Sequence, residues 1–329
     1  MAKRKGSKAN RKIRAVLESI GAVLVLACAF ITAAPKMDLP FSVPTWKDIF
    51  SSAQLTELSE AAKQPLSIHY IDVGQGDAIL IKAAGLNVLI DAGERGNGET
   101  VCSYLEAQEV KSLDYVIATH PHSDHIGSMA DVLEKMPVAN VIMPKLTQQN
   151  TPTTKTYELF LQAVKGSGAT VIAAEPGKSY RGEQAVLTIL GPCQQDDNLN
   201  NMSVVARLDF GSTSFLFTGD AETPSENAIL KKGLDVKADV LKMGHHGSRT
   251  ASGNAFLDQV QPAVCVISCG TGNDYGHPHE ETLKKLEKRG ITPLRTDQDG
   301  TVVIGSDGGT LYCATEKTSQ EMTVKRQAA

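Results

Sequence analysis

The chain has 329 residues, room for one large domain or two ordinary ones, with an ordinary apolar content and few aromatics. Its net charge of −4 is uneven: Lys3, Arg4, Lys5, Lys8, Arg11, Lys12 and Arg14 precede the first acid, and the remainder sets 26 Lys and Arg against 37 Asp and Glu. So acidic a body excludes a general basic face for nucleic acid, and six cysteines with no C-x-x-C pair exclude a zinc ribbon or a disulfide framework.

The basic stretch leads into an apolar run from about Val16 to Ala34, interrupted by Glu18 and Ser19 and ended by Pro35. Its length is near that of a spanning helix. The basic flank then places residues 1–14 in the cytoplasm and the rest outside. A cleaved signal with Thr32-Ala33-Ala34 as its site is the rival reading, and Val25-Leu26-Ala27-Cys28 is a poor lipoprotein box. Residues 1–35 are thus expected to be a membrane anchor or signal. Residues 36–65, with Pro35 before them and Pro40, Pro44 and Pro65 among them, read as a linker holding one short helix.

From Ser67 the pattern tightens. Ile68–Val73, Ala78–Lys82 and Asn87–Ile90 read as strands separated by glycine turns, and a helix is expected around Glu99–Val110. Asp114–Ala118 is apolar and β-branched, the mark of a buried strand, and Ile126, Met129, Val132, Leu133 and Met136 follow at helical spacing. A strand at Val138–Met143, a helix around Thr154–Lys165 and strands near Thr170 and Ala185 come next. Ser203–Phe210 and Ser214–Thr218 read as a hairpin around Gly211, and a helix is expected from Pro224 to Lys232. Strands at Ala238–Met243 and Ala263–Ser268 precede a helix that opens at Pro278 and stops at Gly290. Two last strands flank Gly308–Gly309, and residues 316–329 are expected to be a loose tail.

The most informative segment lies between the Asp114 strand and its helix. Thr119-His-Pro-His-Ser-Asp-His125 packs His120, His122, Asp124 and His125 into one turn. Imidazole and carboxylate are preferred nitrogen and oxygen ligands of divalent metals. Open α/β sheets place ligand sites at such strand ends. Other strand ends deliver Asp91, Asp220, and the pair His245 and His246, enough for two metals. A metal pair lowers the pKa of a bound water and steadies the attacked phosphoryl or carbonyl oxygen. His277 and His279 flank Pro278 at an expected helix start, where a phosphate can rest, and either is a candidate proton donor or general acid. Ser248 is a candidate phosphate contact, while His69 reads as structural.

The His-x-His-x-Asp-His turn, with Asp91 before it and Asp220 and His245 after it, resembles the metallo-β-lactamase fold superfamily. Asp72-Val-Gly-Gln-Gly-Asp-Ala78, Gly219-Asp-Ala-Glu222, Gly244-His-His-Gly-Ser248 and Tyr275-Gly-His-Pro-His279 resemble the extracellular hydrolase domain of ComEC-type competence proteins, over residues 66–315. The resemblance implies a four-layer αββα sandwich. It implies that His120 and His122 hold one metal, that Asp124 and His125 hold a second with His245 or His246, that Asp220 bridges the two, and that Asp91 orients a ligand. It departs at Asn198–Ser203, where many superfamily members carry a further His. It suggests a phosphodiester such as DNA as substrate; the His-rich, carboxylate-bearing ligand set suits one or two Zn or Mn ions, and Asp124, Asp220, His277 and His279 are the candidate catalytic residues. A hydrolase of a small ester, lactone or phosphoester is the alternative, and a non-catalytic DNA-binding module a third. Many ComEC helices are absent here, so transport is not implied.

Overall fold

Short apolar strands, several buried on both faces, build two sheets that share one core. The computed structural model describes Phe30, Thr32 and residues 59–317 and 321–325. The first sheet has nine strands, in the order β16-β15-β14-β1-β2-β3-β4-β5-β6. They are β1 (Leu66–Tyr70), β2 (Ile79–Ala83), β3 (Leu86–Ile90), β4 (Leu113–Ile117), β5 (Val138–Met143), β6 (Thr170–Ala173), β14 (Val302–Ser306), β15 (Thr310–Thr315) and β16 (Glu321–Lys325). The second has seven, in the order β13-β12-β11-β10-β9-β8-β7. These are β7 (Ser179–Arg181), β8 (Ala185–Gly191), β9 (Val205–Phe210), β10 (Thr213–Phe217), β11 (Val240–Lys242), β12 (Val264–Ile267) and β13 (Leu294–Arg295).

Every second residue faces the space between the sheets. Ile68 and Tyr70, Ile79 and Ile81, and Val88 and Ile90 meet Leu187 and Ile189, Phe215 and Phe217, and Val264 and Val266 there. Burying each such side chain contributes about 1.5–3 kcal/mol, so this double layer dominates the stability of the unit. The intervening residues of the second sheet, Leu216, Leu241, Cys265 and Ile267, pack outward against Ile229, Phe256, Leu257 and Leu286 of the helices Thr223–Lys231, Asn254–Val260 and Glu280–Glu287. On the first sheet Leu80, Leu89 and Val116 are as deeply buried. The helices Gly98–Ala107, Met129–Lys135 and Lys155–Ser167 contact one another in sequence.

The two sheets each carry a parallel half. β3, β4, β5 and β6 run parallel, and so do β10, β11, β12 and β13. Asp91 follows β3, His120 follows β4, Asp220 follows β10, and His245 and His246 follow β11. The topology therefore delivers candidate ligands from both sheets to one edge, as strand ends in parallel sheets do.

Three expectations are corrected. The tail is not loose throughout: Glu321–Lys325 adds an antiparallel strand to β15. The short helix of the expected linker, Ser59–Ala62, packs on β14 and β15 and buries Ala61, which fits because Gly305 offers no side chain to meet it. The helix expected to open at Pro278 begins at Glu280 with His279 as its N-cap, because the His279 N–H is tied to the Gly247 carbonyl at 3.1 Å and its backbone stays extended. The short strands β7 and β13 carry too few residues to show a period in the sequence. The five described cysteines are free thiols. The expected N-terminal hydrophobic helix lies outside the described residues. Among the described residues no helix is long and apolar enough to cross a membrane.

Candidate metal centre

The His-rich turn is itself the start of a helix. His122 is the N-cap, with extended φ/ψ, and Ser123–Ile126 form one helical turn. That geometry turns Asp124 and His125 toward the second sheet while His120 and His122 remain on the incoming strand end. Gly76 permits the close approach: a Cβ there would run into the Asp124 carbonyl, and its φ of +129° favours glycine. The neighbouring Asp77 N–H donates to the same carbonyl at 3.2 Å.

Four side chains converge within one cluster: Asp124, His125, Asp220 and His246. The His125 Nε2 lies 3.2 Å from Asp220 Oδ1 and 3.8 Å from Asp124 Oδ2. The His246 Nε2 lies 3.4 Å and 3.2 Å from the same two oxygens, and the two Nε2 atoms are 3.3 Å apart. Ligands about 2.1 Å from a tetrahedral ion stand about 3.4 Å from one another. The spacing of the four atoms is that of a coordination shell.

The far side of each ring is pinned. His125 Nδ1 lies 2.7 Å from Asp91 Oδ2, and His246 Nδ1 lies 3.0 Å from the Ser268 carbonyl. Each Nδ1 therefore carries the proton, and in the neutral rings each Nε2 presents a lone pair toward carboxylate oxygens. Asp220 Oδ1, on a side chain 2 % exposed, has no hydrogen-bond partner although two ring nitrogens stand beside it. Acceptors facing acceptors in a buried site cost about 1–3 kcal/mol per unpaired group unless a cation lies between them. The charges say the same. Burial acts to lower the His125 and His246 pKa values, but Asp220 and Asp124 outweigh it and raise both. Burial would raise the Asp220 pKa, but His125 and His246 hold it well below the carboxylate range. The cluster takes positive charge, as protons on the rings or as a metal ion. The donor set fits a divalent metal.

The second oxygen of Asp220 faces a different set of rings. His120 Nε2 is 3.8 Å and His245 Nε2 is 3.7 Å from Oδ2, and His122 Nδ1 lies 3.0 Å from His120 Nε2. These rings are pinned too. His120 Nδ1 lies 3.2 Å from the Thr119 hydroxyl, which donates to Asp91, and His245 Nδ1 lies 3.0 Å from Glu222 Oε1. Burial holds His120 well below the usual imidazole range and lowers His122 as well, so both stay neutral and available as ligands. This second set is wider, and His122 and His245 open on the cavity beside Asn200. The Asn200 Oδ1 is buried without a partner.

Backbone strain marks the same turns. Asp91, His245 and His246 all have left-handed φ values, +57°, +47° and +54°. Such positions cost of order 1–3 kcal/mol each and persist where surrounding structure holds them. Two consecutive left-handed residues are what send His245 and His246 to opposite oxygens of Asp220.

A cavity of about 610 Å³ opens above the cluster, lined by His122, Asp124, Asp220, His245, His246 and His277 among others. His277 is buried with its Nδ1 unpartnered, and burial, then the neighbouring His246, His245 and His279, lower its pKa to about 4. His279 does not line the cavity: its Nδ1 accepts the Arg249 N–H at 3.1 Å, and its ring abuts His277. Ser248 is buried, does not line the cavity, and has its hydroxyl engaged with Thr250 at 2.9 Å. His69 is a core residue, held between Ser67 and Tyr104, its pKa lowered by burial to about 3.

Three residues of the site carried no role in the sequence reading. Asp77 and Lys242 form a fully buried ion pair at 2.7 Å directly behind His246. A lysine inside the apolar run Val240–Met243 was the available signal. Glu222, two residues after Asp220, backs His245 and is itself held by Asn198 at 2.8 Å and Thr250 at 2.6 Å.

Comparison with known proteins agrees with this geometry. Residues 71–271 match the family described as the metallo-beta-lactamase superfamily. ComE operon protein 3 of Bacillus subtilis is 34% identical over 71% of this chain, and competence protein ComA of Neisseria gonorrhoeae is 31% identical over 72%. Each match spans 32% of the relative, so the chain covers about a third of their length. Among solved structures, a mutant of the β-hydroxylase CmlA superposes with a TM-score of 0.51 at 15% identity, over 73% of this chain and 54% of that one, a likeness of fold alone. The chain belongs to the metallo-β-lactamase superfamily and is similar to competence proteins of the ComEC type.

Proposed function

We propose that the chain is a metal-dependent hydrolase of phosphodiesters, with DNA as substrate and the catalytic domain outside the cytoplasmic membrane. The observation that carries the reading is Asp220: one buried carboxylate whose two oxygens face two sets of ring nitrogens at the floor of an open cavity. In this reading Asp124, His125, Asp220 and His246 hold one divalent ion, and His120, His122, His245 and the other Asp220 oxygen hold a second. Nitrogen and carboxylate donors suit zinc and admit manganese. Bound there, the ions would lower the pKa of a water and stabilise charge on the phosphoryl oxygens.

The chain's own residues supply the rest. Asp91, Ser268, Thr119 and Glu222 fix the rings and their tautomers, a support worth about 10–100-fold in metal affinity. Asp220 and Asp124 stay ionised in the buried floor, ready to balance a cationic centre. His277 is neutral at physiological pH and lines the cavity, so it serves as a hydrogen-bond donor to a phosphoryl oxygen and not as a charged general acid. His279 positions His277 through ring contact. The competence names of the relatives support DNA as substrate, and the basic stretch before an apolar run supports an external, membrane-anchored domain.

The absence of Lys or Arg from the cavity lining favours a second reading, a small uncharged ester or lactone. The purified full chain, loaded with Zn²⁺, Mn²⁺ or Mg²⁺, should be tested on single-stranded DNA, bis-nitrophenyl phosphate and a lactone. Cleavage of the two phosphodiesters is expected; turnover of the lactone alone would replace the proposal with the second reading. Protease added to intact cells should remove the domain, and protection until lysis would refute the external location.

A further inference from the structure

We infer that Tyr275 is a stacking platform for an unpaired nucleobase beside the reacting phosphodiester, which makes single strands or frayed ends the substrate. The inference deepens the phosphodiesterase reading and rests on it. Tyr275 is 65 % exposed, more than any other large apolar side chain described. Leu161 and Val171 do not line the cavity of the site, whereas Tyr275 does. Its ring lies nearly parallel to that of His277, at 20° and 5.6 Å between centroids, and His277 in turn stands 5.3 Å from His245. One face of the Tyr275 ring is thus backed by the site, and the exposed remainder of the ring is open.

The platform is held in place. Asn273 Oδ1 accepts the N–H groups of Tyr275 at 3.2 Å and His277 at 3.0 Å, while its Nδ2 donates to the carbonyls of Gly270 and His277 at 2.9 and 2.6 Å. One asparagine therefore locks the loop that carries both rings, so the aromatic face is presented without an ordering cost on binding.

Charge explains why such a platform is needed. The cavity lining includes no Lys or Arg, and the body is acidic. A polyanion gains little from this surface beyond the metal centre itself. Stacking on an aromatic ring supplies affinity that depends on neither sequence nor salt bridges. It requires a base with a free face, which an intact duplex does not offer.

The test uses the metal-loaded full chain with fluorescein-labelled oligothymidylate, the same strand with abasic residues, and the corresponding duplex. Anisotropy with phosphorothioate strands measures binding without turnover, and unmodified strands measure cleavage. Wild type should favour the base-bearing single strand over the abasic one by about tenfold in both readouts. Tyr275→Phe should keep that preference, and Tyr275→Ala should lose it while retaining wild-type metal content. An undiminished preference in Tyr275→Ala, no preference in wild type, or equal binding of the duplex overturns the inference. If wild type cleaves no phosphodiester, the proposed reaction fails on its own, and the anisotropy comparison still decides the role of Tyr275.

Discussion

The two ring sets around Asp220 are built from the same chemistry but differ in closure. Asp124, His125, Asp220 and His246 are packed to van der Waals proximity, with His125 and His246 buried to within about 1 %. In the wider set His120 is equally buried, while His122 and His245 line the cavity; the side chains of His245 and of Asp124 in the tighter set are each 23 % exposed. The closed set is backed by Asp91, by the Ser268 carbonyl and by the buried Lys242–Asp77 pair; the open set is backed by hydroxyls and by Glu222 at the surface. The difference teaches that two metal positions on one carboxylate need not be equivalent. In the proposed two-metal reading the tighter position would retain an ion, and the wider one would leave room for water and substrate.

Removing what both sets share has the largest effect. Asp220→Ala should abolish turnover, a loss on the order of a thousandfold or more in kcat, while circular dichroism reports an intact fold. Near-normal activity would refute a shared carboxylate. Next comes the support behind the closed set. Lys242→Met leaves Asp77 buried and unpaired, which should lower stability by about 3–5 kcal/mol, read as a clear fall in Tm. An unchanged Tm would show that water reaches Asp77.

A smaller change sharpens the contrast. Asp91→Asn keeps the shape of the support but removes its charge, and should weaken metal binding most at the closed position, by about 10–100-fold, because His125 bonds Asp91 directly and His120 is reached only through Thr119; competition with a chelator measures it. Equal weakening at both positions would blur the distinction. His277→Ala removes no member of either set, although its ring abuts His245. Metal content should stay at the wild-type level while kcat/KM for a phosphodiester falls by about ten- to a hundredfold, the loss of one hydrogen bond to a charged group. Loss of a metal ion in that variant would make His277 a ligand.

Much of this was legible in the sequence because the local patterns are strong. Apolar runs bounded by glycine turns gave strands at Ile68–Val73 and Ser214–Thr218, and the clustering of His120, His122, Asp124 and His125 after a buried strand gave the site. The assignment of His245 and His246 was not legible. Adjacent residues diverge here only because both adopt left-handed backbone, which no periodicity reveals. The start of the last long helix was misplaced because Pro278 suits a first helical position, whereas a bond from His279 to Gly247, distant in sequence, keeps the chain extended. His279 and Ser248 resembled substrate contacts by position, yet both are occupied by backbone and side-chain partners from the neighbouring loop. Lys242 was hidden in plain view, since a charge inside an apolar strand has meaning only once Asp77 is placed beside it.

The central claim is that Asp220 serves two unequal metal positions, and metal binding to paired His variants tests it most directly. Equilibrium dialysis of the full chain against Zn²⁺ or Mn²⁺, with bound metal counted by mass spectrometry, should show a tight and a weaker class of site in wild type. His246→Ala should lose the tight class, and His245→Ala should keep it and lose the weaker one. A single class of site, or the same loss in both variants, would contradict the account.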